Sequence, residues 1–546
     1  MALAIAWPPA PGPPVRTGGR EPDRSEKRAG SRFTPLDSSR TRGAEARPAQ
    51  NTATSSAAAV TIVPAGIRFD MMEDISRPDL LERTDSRVGA ESRGALSKRC
   101  RKVVAALDDR TPGWHEADMS DVLFIRQVRV VSEDSPAFTE ADVRVERGII
   151  TAVAPGLPVP EGAKVIDGRG RLLMPAMFDA HVHFREPGFE AKEDIASGTE
   201  AAINGGITGV VMMPNTSPAI DSATVVKMVL DKAKAVARIP VYTSGCITKG
   251  REGKELAAID GMRGLGVKML TDDGDGVGDP AVLYRAMQYA SEFGMFFASH
   301  CEVHELAGPR ALNDGPVAYR LGIKGSPACA EEIMIDRDIR LAHATGAHIH
   351  IQHVSSKLGM ETIRWWKERG DVKVTCEVAP HHLMFRDEDI GNYDTHYKMN
   401  PPLRTAEDNA ALLDAFKAGV FDLLATDHAP HTPFEKAQDF TSAPNGITGM
   451  DTALVSMFDR YISRGELGWD ILVKRYSAEP RRLMGLEPVP VAEGKPAEFL
   501  LFDPEGSTTF TAEFMKSKSR NTPFLDQTLK GSVDLVVRGT EVLLER

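Results

Sequence analysis

Apolar and polar positions change rhythm twice along the chain. Between Ser120 and about Pro175 they alternate with a period near two, in VLFIRQVRVV, ADVRVERGIITAVAP and AKVIDGRGRLLMP. That is the pattern of short strands with one buried face. From about Met177 unbroken apolar runs of strand length take over: GVVMM, VYTSG, GVKML, MFFASH, HIHIQHV, VKVTCEV and FDLLATD. Stretches of helical length separate them, among them SATVVKMVLDKAKAVA, PAVLYRAMQYASEFG, CAEEIMIDRDIRLAHAT and LGMETIRWWKERG. Strand–helix alternation sustained over roughly 300 residues predicts a parallel α/β fold, and at this length a TIM (β/α)8 barrel. After about Pro488 short strands return in AEFLLFDP and VDLVVRGTEVLL. The two flanks are expected to pair into one small composite β-sandwich domain. The expected division is therefore 119–176 and 488–546 for the β domain and 177–487 for the barrel. No internal repeat of solenoid period is present.

Residues 1–118 read differently. They are rich in Pro, Arg, Ser, Ala and Gly, with few aromatics and no periodic apolar pattern. Such a segment buries too little apolar surface to offset its ordering entropy, so disorder is expected, with a short helix near Ala95–Leu107. Met119 stands directly before the first strand-like stretch, DVLFIRQVRVV. The expectation is that Met119 is the natural start and that residues 1–118 are a spurious extension, which N-terminal sequencing of the native protein tests. MALAIAW is short and lacks a basic n-region, so it is not read as a signal peptide. The Arg, Ser and Ala content suits an organelle transit peptide, but Glu21, Asp23 and Glu26 weigh against one.

Charge and cysteine content narrow the function classes. A net charge of −11 argues against a general nucleic-acid or anionic-membrane surface. No apolar run reaches the roughly 18 residues that a membrane-spanning helix needs. The five cysteines are scattered without a CxxC pair. This argues against a disulfide framework or a cysteine zinc site and fits a reducing, cytoplasmic location.

The chemistry gathers at strand ends. In FDAHVHFREPG, His181 and His183 are two apart, so on a strand both imidazoles face one side and can reach one metal ion. An isolated HxH is more often a pair of core histidines. Here Asp273 in KMLTDDG, His300 in FFASHCE, His353 in HIQHVSS and Asp427 in LLATDHAPH each close an apolar run and precede a loop. In a barrel that is the C-terminal face, where active sites assemble. Imidazole and carboxylate donors together suit zinc.

This set resembles the amidohydrolase superfamily. Within it HFREPG, MPNT, TDDG, SHCE, HVSS, APHHL, MNPPLR and ATDHAPH resemble the dihydroorotase family in its bacterial, stand-alone form. The resemblance covers about residues 121–546. It implies two Zn2+ per subunit. His181, His183 and Asp427 would bind the more buried ion, and His300 and His353 the second. Asp273 would bridge them, with a carboxylated Lys268 on the same strand as the competing bridge. Two zinc ions about 3.5–4 Å apart share a hydroxide of lowered pKa. That hydroxide would attack the ring amide carbonyl, with Asp427 as general base and then acid. The implied reaction interconverts N-carbamoyl-L-aspartate and (S)-dihydroorotate in pyrimidine biosynthesis.

For substrate, the resemblance points to His183, Arg185, Asn215, Asn400, His431 and the backbone at Asn445–Gly446. Arg185 shares the face of the HxH pair, and its planar fork suits a carboxylate. At Asn445 the family often has an aromatic, which puts a side-chain contact there in doubt. The loop from His431 to Gly446 is expected to act as a lid. His304, His343, His348 and His382 are read as structural or surface residues, His381 as an even choice between structure and site rim, and Asp272 as a turn residue. GDGVGDP lacks the Lys-Ser/Thr of a phosphate-binding loop. Two other functions stay open: a different cyclic-amide hydrolase such as an allantoinase or dihydropyrimidinase, or a non-catalytic homologue that scaffolds aspartate transcarbamoylase. A homodimer is the expected assembly.

Overall fold

The computed structural model describes residues 122–546. The expectations for residues 1–118, the helix near Ala95–Leu107 and the start at Met119 all lie outside them.

Five strands come first: β1 (Val122–Val130), β2 (Thr139–Glu146), β3 (Ile149–Ala154), β4 (Lys164–Asp167) and β5 (Leu172–Pro175). Three close the chain: β14 (Glu498–Thr509), β15 (Thr528–Arg538) and β16 (Glu541–Glu545). Together they form one eight-stranded sheet in the order β16-β15-β14-β5-β1-β2-β3, with β4 also paired to β1. The expected sandwich is thus one continuous, branched sheet. One edge of β1 pairs with β2, while the other serves β4 and then β5. The irregularity between Ile125 and Val128, with Gln127 at φ 57°, breaks the ladder where β1 passes between partners. Leu123, Ile125, Val143 and Val145 share one apolar cluster with Phe499, Leu501, Leu535 and Val537, so the two ends of the chain bury each other's faces.

Between the flanks lie eight short strands: β6 (Met177–Val182), β7 (Ile207–Met212), β8 (Val241–Thr243), β9 (Met269–Leu270), β10 (Phe296–Ser299), β11 (Ile349–Ile351), β12 (Val374–Val378) and β13 (Leu423–Leu424). They form two parallel sheets, β6-β7-β8 and β9-β10-β11-β12-β13. Parallel bridges join their edges at Gly245–Leu270 and at Val182–His428. Helices follow most strands, capped as their sequences dictate. The helix Lys357–Arg369 starts where the Ser356 side chain accepts from Gly359 N, stops at left-handed Gly370, and buries Met360, Ile363 and Trp366. Among the described residues no helix is long and apolar enough to cross a membrane.

Two apolar clusters sort the faces of the strands. Val210, Met212, Leu270, Phe297, Ile349 and Ile351 pack outward against the helices. Phe178, Ala180, Val211, Met213, Met269, Phe296, Ala298 and Leu423 pack against one another on the opposite faces. In β6 the pairing with β7 slips by one residue between Asp179 and Val182. Val182 therefore joins the outward cluster, and His181 and His183 turn to the inner side, above Phe178 and Ala180.

Candidate active site

His181 ends the inner face of β6, and His183 lies one residue beyond the strand. Asp273, His300, His353 and Asp427 lie one to three residues past the ends of β9, β10, β11 and β13. All six are buried. Asp273 stands at the centre: its Oδ1 is 3.3 Å from His181 Nε2, 3.7 Å from His353 Nε2 and 3.8 Å from His300 Nδ1, and its Oδ2 is 3.5 Å from His183 Nε2. Asp427 Oδ1 lies 2.9 Å from His183 Nε2 and 3.5 Å from His181 Nε2. His300 Nδ1 and His353 Nε2 face each other at 2.9 Å. His353 and Asp427 hold positive φ of 30° and 48°, backbone strain that the surrounding packing keeps in place.

Electrostatically the cluster is short of cations. Burial pushes Asp273 upward, yet the facing imidazoles of His181, His353 and His183 hold it well below the usual carboxylate range. Burial pushes His181 down, and Asp273, Glu377 and Asp427 more than reverse that. Burial, reinforced by His353, takes His300 to about 3, so that imidazole is neutral. His181 Nε2 and Asp273 Oδ1 are buried without a hydrogen-bond partner. Three sets of ligand atoms lie within 4.8 Å of one another: His181–His183–Asp273, His181–His353–Asp427 and Asp273–His300–His353. Imidazoles converging on buried carboxylates with unused atoms fit a divalent cation such as Zn2+.

Lys268 is excluded from that cluster. It precedes β9, and its Nζ donates to the Met484 carbonyl oxygen at 2.8 Å. Of the two candidates, Asp273 is the one that lies among the imidazoles. Asp272 is more than a turn residue. It is buried and accepts from the backbone N–H groups of Ile247 and Thr248 at 2.9 and 3.0 Å, anchoring the loop after β8.

Partners that the sequence reading missed stand behind these side chains. Glu377 on β12 lies 2.6 Å from His181 Nδ1. Asp179 accepts from Thr426 N at 3.1 Å and His181 N at 3.3 Å, tying the β6 motif to the segment that carries Asp427. Glu193 pairs with His428, which follows Asp427. A charged residue inside an apolar strand run, such as Glu377 in VKVTCEV, was the available signal.

A cavity of about 200 Å³ opens beside the cluster. Arg185 lines it at φ 61°, with Nε donating to the Pro430 carbonyl at 3.3 Å. Burial lowers Arg185 to about 10, so it stays cationic, and among the described residues no carboxylate forms an ion pair with it. Asn215 and Asn400 also line the cavity. Asn215 Oδ1 accepts from His183 Nδ1 at 2.9 Å, and the Asn400 side-chain amide lies 3.0 Å from His300 Nε2. Each therefore orients a cluster histidine as well as facing the cavity. Arg310, absent from the sequence reading, forms part of the wall and is braced by Glu302 and Asp275.

The His431–Gly446 segment differs from the expected picture. His431 lines the cavity, but its Nε2 donates to the Asn445 carbonyl at 2.8 Å and its Nδ1 lies 3.4 Å from Lys192 Nζ. Burial and the nearby Arg185 and Lys192 keep it neutral. The Gly446 backbone is fully committed: its N donates to Lys398 O, and its O accepts from Lys436 Nζ and Asn521 Nδ2. Its glycine serves close packing, since a Cβ there would stand 2.5 Å from Ala429 O and 2.7 Å from the His431 ring. The Asn445 side chain lines the cavity instead, with Oδ1 buried and unpartnered. Lys398 donates to the Thr441 and Ala443 carbonyls, and Lys436 to Pro444 as well as Gly446. The segment is a pinned wall rather than a free lid. Among the remaining histidines, His348 bonds Thr375, His382 bonds the Pro401 carbonyl, and His381 is buried against His382, away from the cavity lining.

Comparison with known proteins bears on this site. A family model described as dihydro-orotase-like matches residues 170–359. Dihydroorotase from Desulforapulum autotrophicum is 43% identical over 409 residues, covering 74% of this chain and 95% of that protein. Dihydroorotase from Aquifex aeolicus is 41% identical over 416 residues, covering 76% and 97%. The chain belongs to the dihydroorotase family. It is a cyclic-amide hydrolase, and the span matched by the family model takes in His181, His183, Asp273, His300 and His353. Among solved structures, L-hydantoinase from Arthrobacter aurescens aligns with a TM-score of 0.69 at 24% identity, over 78% of this chain and 96% of that one. Dihydropyrimidinase from Brevibacillus agri gives 0.68 at 23%, over 78% and 95%. At that identity the likeness shows a shared fold.

Proposed function

We propose that this member of the dihydroorotase family is itself a dihydroorotase. It interconverts N-carbamoyl-L-aspartate and (S)-dihydroorotate in pyrimidine biosynthesis, on a (β/α)8 barrel completed by the two parallel bridges between its sheets. The observation that carries the reading is Arg185: a half-buried guanidinium without an ion-paired carboxylate among the described residues opens onto the same cavity as the histidine–aspartate cluster. Burying an unpaired cation is costly unless a ligand completes it. A ring bearing a carboxylate does so.

The residues then divide as follows. Arg185 binds the ring carboxylate through its free Nη donors. The Asn445 side-chain oxygen takes a ring N–H, and His431, held neutral, closes the wall beside the carboxylate. His181, His183 and Asp427 would hold one cation and His300 and His353 a second, with Asp273 close enough to serve either. When bound, two Zn2+ ions supply an activated water and a Lewis acid for the amide carbonyl. Asp427, drawn down to about 2 by the His181 and His183 imidazoles against the upward push of burial, is an ionised base. It takes a proton from the attacking water and returns it to the leaving ring nitrogen. In the biosynthetic direction the same groups close the ring.

Residues 119–176 with 488–546, and 177–487, are read as the β and catalytic domains. A homodimer in the cytoplasm, with aspartate transcarbamoylase as a candidate partner protein, belongs to the same reading; light scattering and co-sedimentation test those two parts. The function itself is tested by assaying the zinc-reconstituted full chain with dihydroorotate, allantoin and dihydrouracil side by side. Turnover confined to dihydroorotate is expected. Faster turnover of either other ring would overturn the substrate assignment, and stoichiometric zinc without any turnover would point to a scaffold.

A further inference from the structure

We infer that Glu377, braced by His350, is the positioning residue that sets cation affinity at this site. The inference rests on the two-cation reading. Glu377 is 1% exposed and lies on β12, between the two halves of the cluster. Oε1 lies 2.6 Å from His181 Nδ1 and accepts from His353 N at 3.3 Å. Oε2 lies 3.1 Å from His350 Nε2. His350 is fully buried, and its Nδ1 is 2.9 Å from Thr375 Oγ1. Thr375 also lies 2.9 Å from His348 Nε2, so a continuous polar chain runs from the cluster down β11 and β12.

Three consequences follow from that placement. With a cation bound, an ionised carboxylate on His181 Nδ1 would keep the hydrogen on Nδ1 and leave the Nε2 lone pair for that cation, on the side that faces Asp273 and Asp427. The negative charge raises the basicity of that imidazole and so its affinity for a cation. The bond to His353 N supports a residue held at φ 30°, so the same carboxylate reaches a histidine of each cation group. Asn215 and Asn400 orient His183 and His300 with neutral amides, so among these braces Glu377 is the one that brings charge. His350 fills its second oxygen and keeps the carboxylate from rotating away.

The test is cation binding by the full chain, metal-stripped and titrated with Zn2+ against a chromophoric chelator. Wild type is expected to take two ions. Glu377→Gln keeps the shape and removes the charge. It should weaken one of the two sites by about 10–100-fold, the usual scale for such a partner, and the other much less. Asp at the same position (Glu377→Asp) retains charge at a longer reach and should fall between. A purely structural role would lower thermal stability and weaken both sites alike. Wild type binding two ions while Glu377→Gln holds both as tightly overturns this inference alone. Wild type binding none overturns the two-cation reading and this inference with it. Should Glu377→Gln not fold, Glu377→Asp decides: wild-type affinity at both sites refutes the role.

Discussion

Replacing Arg185 by methionine probes the substrate assignment directly. Among the described residues the Arg185 side chain makes a single hydrogen bond, from Nε to the Pro430 carbonyl, so the exchange removes little from the folded protein besides its charge. Its φ of 61° adds no new strain, because methionine meets the same backbone cost as arginine. What is lost is the pair of Nη donors and a cation in the cavity wall. Hydrogen bonds to charged groups contribute about 1.5–3 kcal/mol each. Two that share one carboxylate are not additive, which gives roughly 3–4 kcal/mol for the pair. At about 1.4 kcal/mol per factor of ten, kcat/KM for dihydroorotate should fall roughly 100–1,000-fold. Arg185→Lys keeps the charge without the planar fork and should fall roughly tenfold. The assay is steady-state ring opening, run in parallel on dihydroorotate and its uncharged methyl ester, with zinc content as control. Wild type should prefer the acid strongly, and Arg185→Met should nearly abolish that preference at normal zinc content. An unchanged acid-to-ester ratio, or kcat/KM within threefold of wild type, would refute the argument.

Asp427→Asn retains shape but cannot accept the proton. A folded protein with kcat down by about 10²–10⁴ is expected, and near-normal turnover would remove Asp427 from the chemistry. Lys268→Met should leave zinc stoichiometry and activity close to wild type, since Lys268 Nζ is bound to the Met484 carbonyl. Asp273→Asn should lose zinc by elemental analysis, and the opposite outcome would restore Lys268 as the bridge. Burial, with help from Lys398, lowers Lys436 to about 7. The unfolded chain keeps that proton to about 10.4. Between these values the unfolded state binds more protons, so stability rises with pH from about 7 to 10. Denaturant titrations should show a rise on the order of 3–5 kcal/mol at full extent in wild type, absent in Lys436→Met. Equal pH slopes would sink that account.

Much of the architecture is written locally. The period-two flanks, the apolar strand runs and their caps follow from short-range pattern, and so do the i, i+2 pair His181/His183 and the polar residues closing each run. These depend on neighbours in sequence and on the common direction of parallel strands. What lies behind the site does not. Glu377 is 196 residues from His181, and Asp427 is 244 from His183. Only the circuit of strand pairing brings such residues within bonding distance. The choice between Asp273 and Lys268 illustrates the difference. Both flank the two-residue strand β9 and look equivalent in one dimension. In three dimensions Lys268 precedes β9 and reaches Met484, whereas Asp273 follows it and meets four imidazoles. The His431–Gly446 wall follows the same rule. Its composition suggests a mobile loop, but Lys398 and Lys436 find the carbonyls that pin it only once the chain has folded. The sequence alone picked out the candidate histidines and aspartates and the strand ends that present them. Tertiary structure decided which of them meet and what braces them from behind, because burial in a shared interior, and not spacing along the chain, sets those distances.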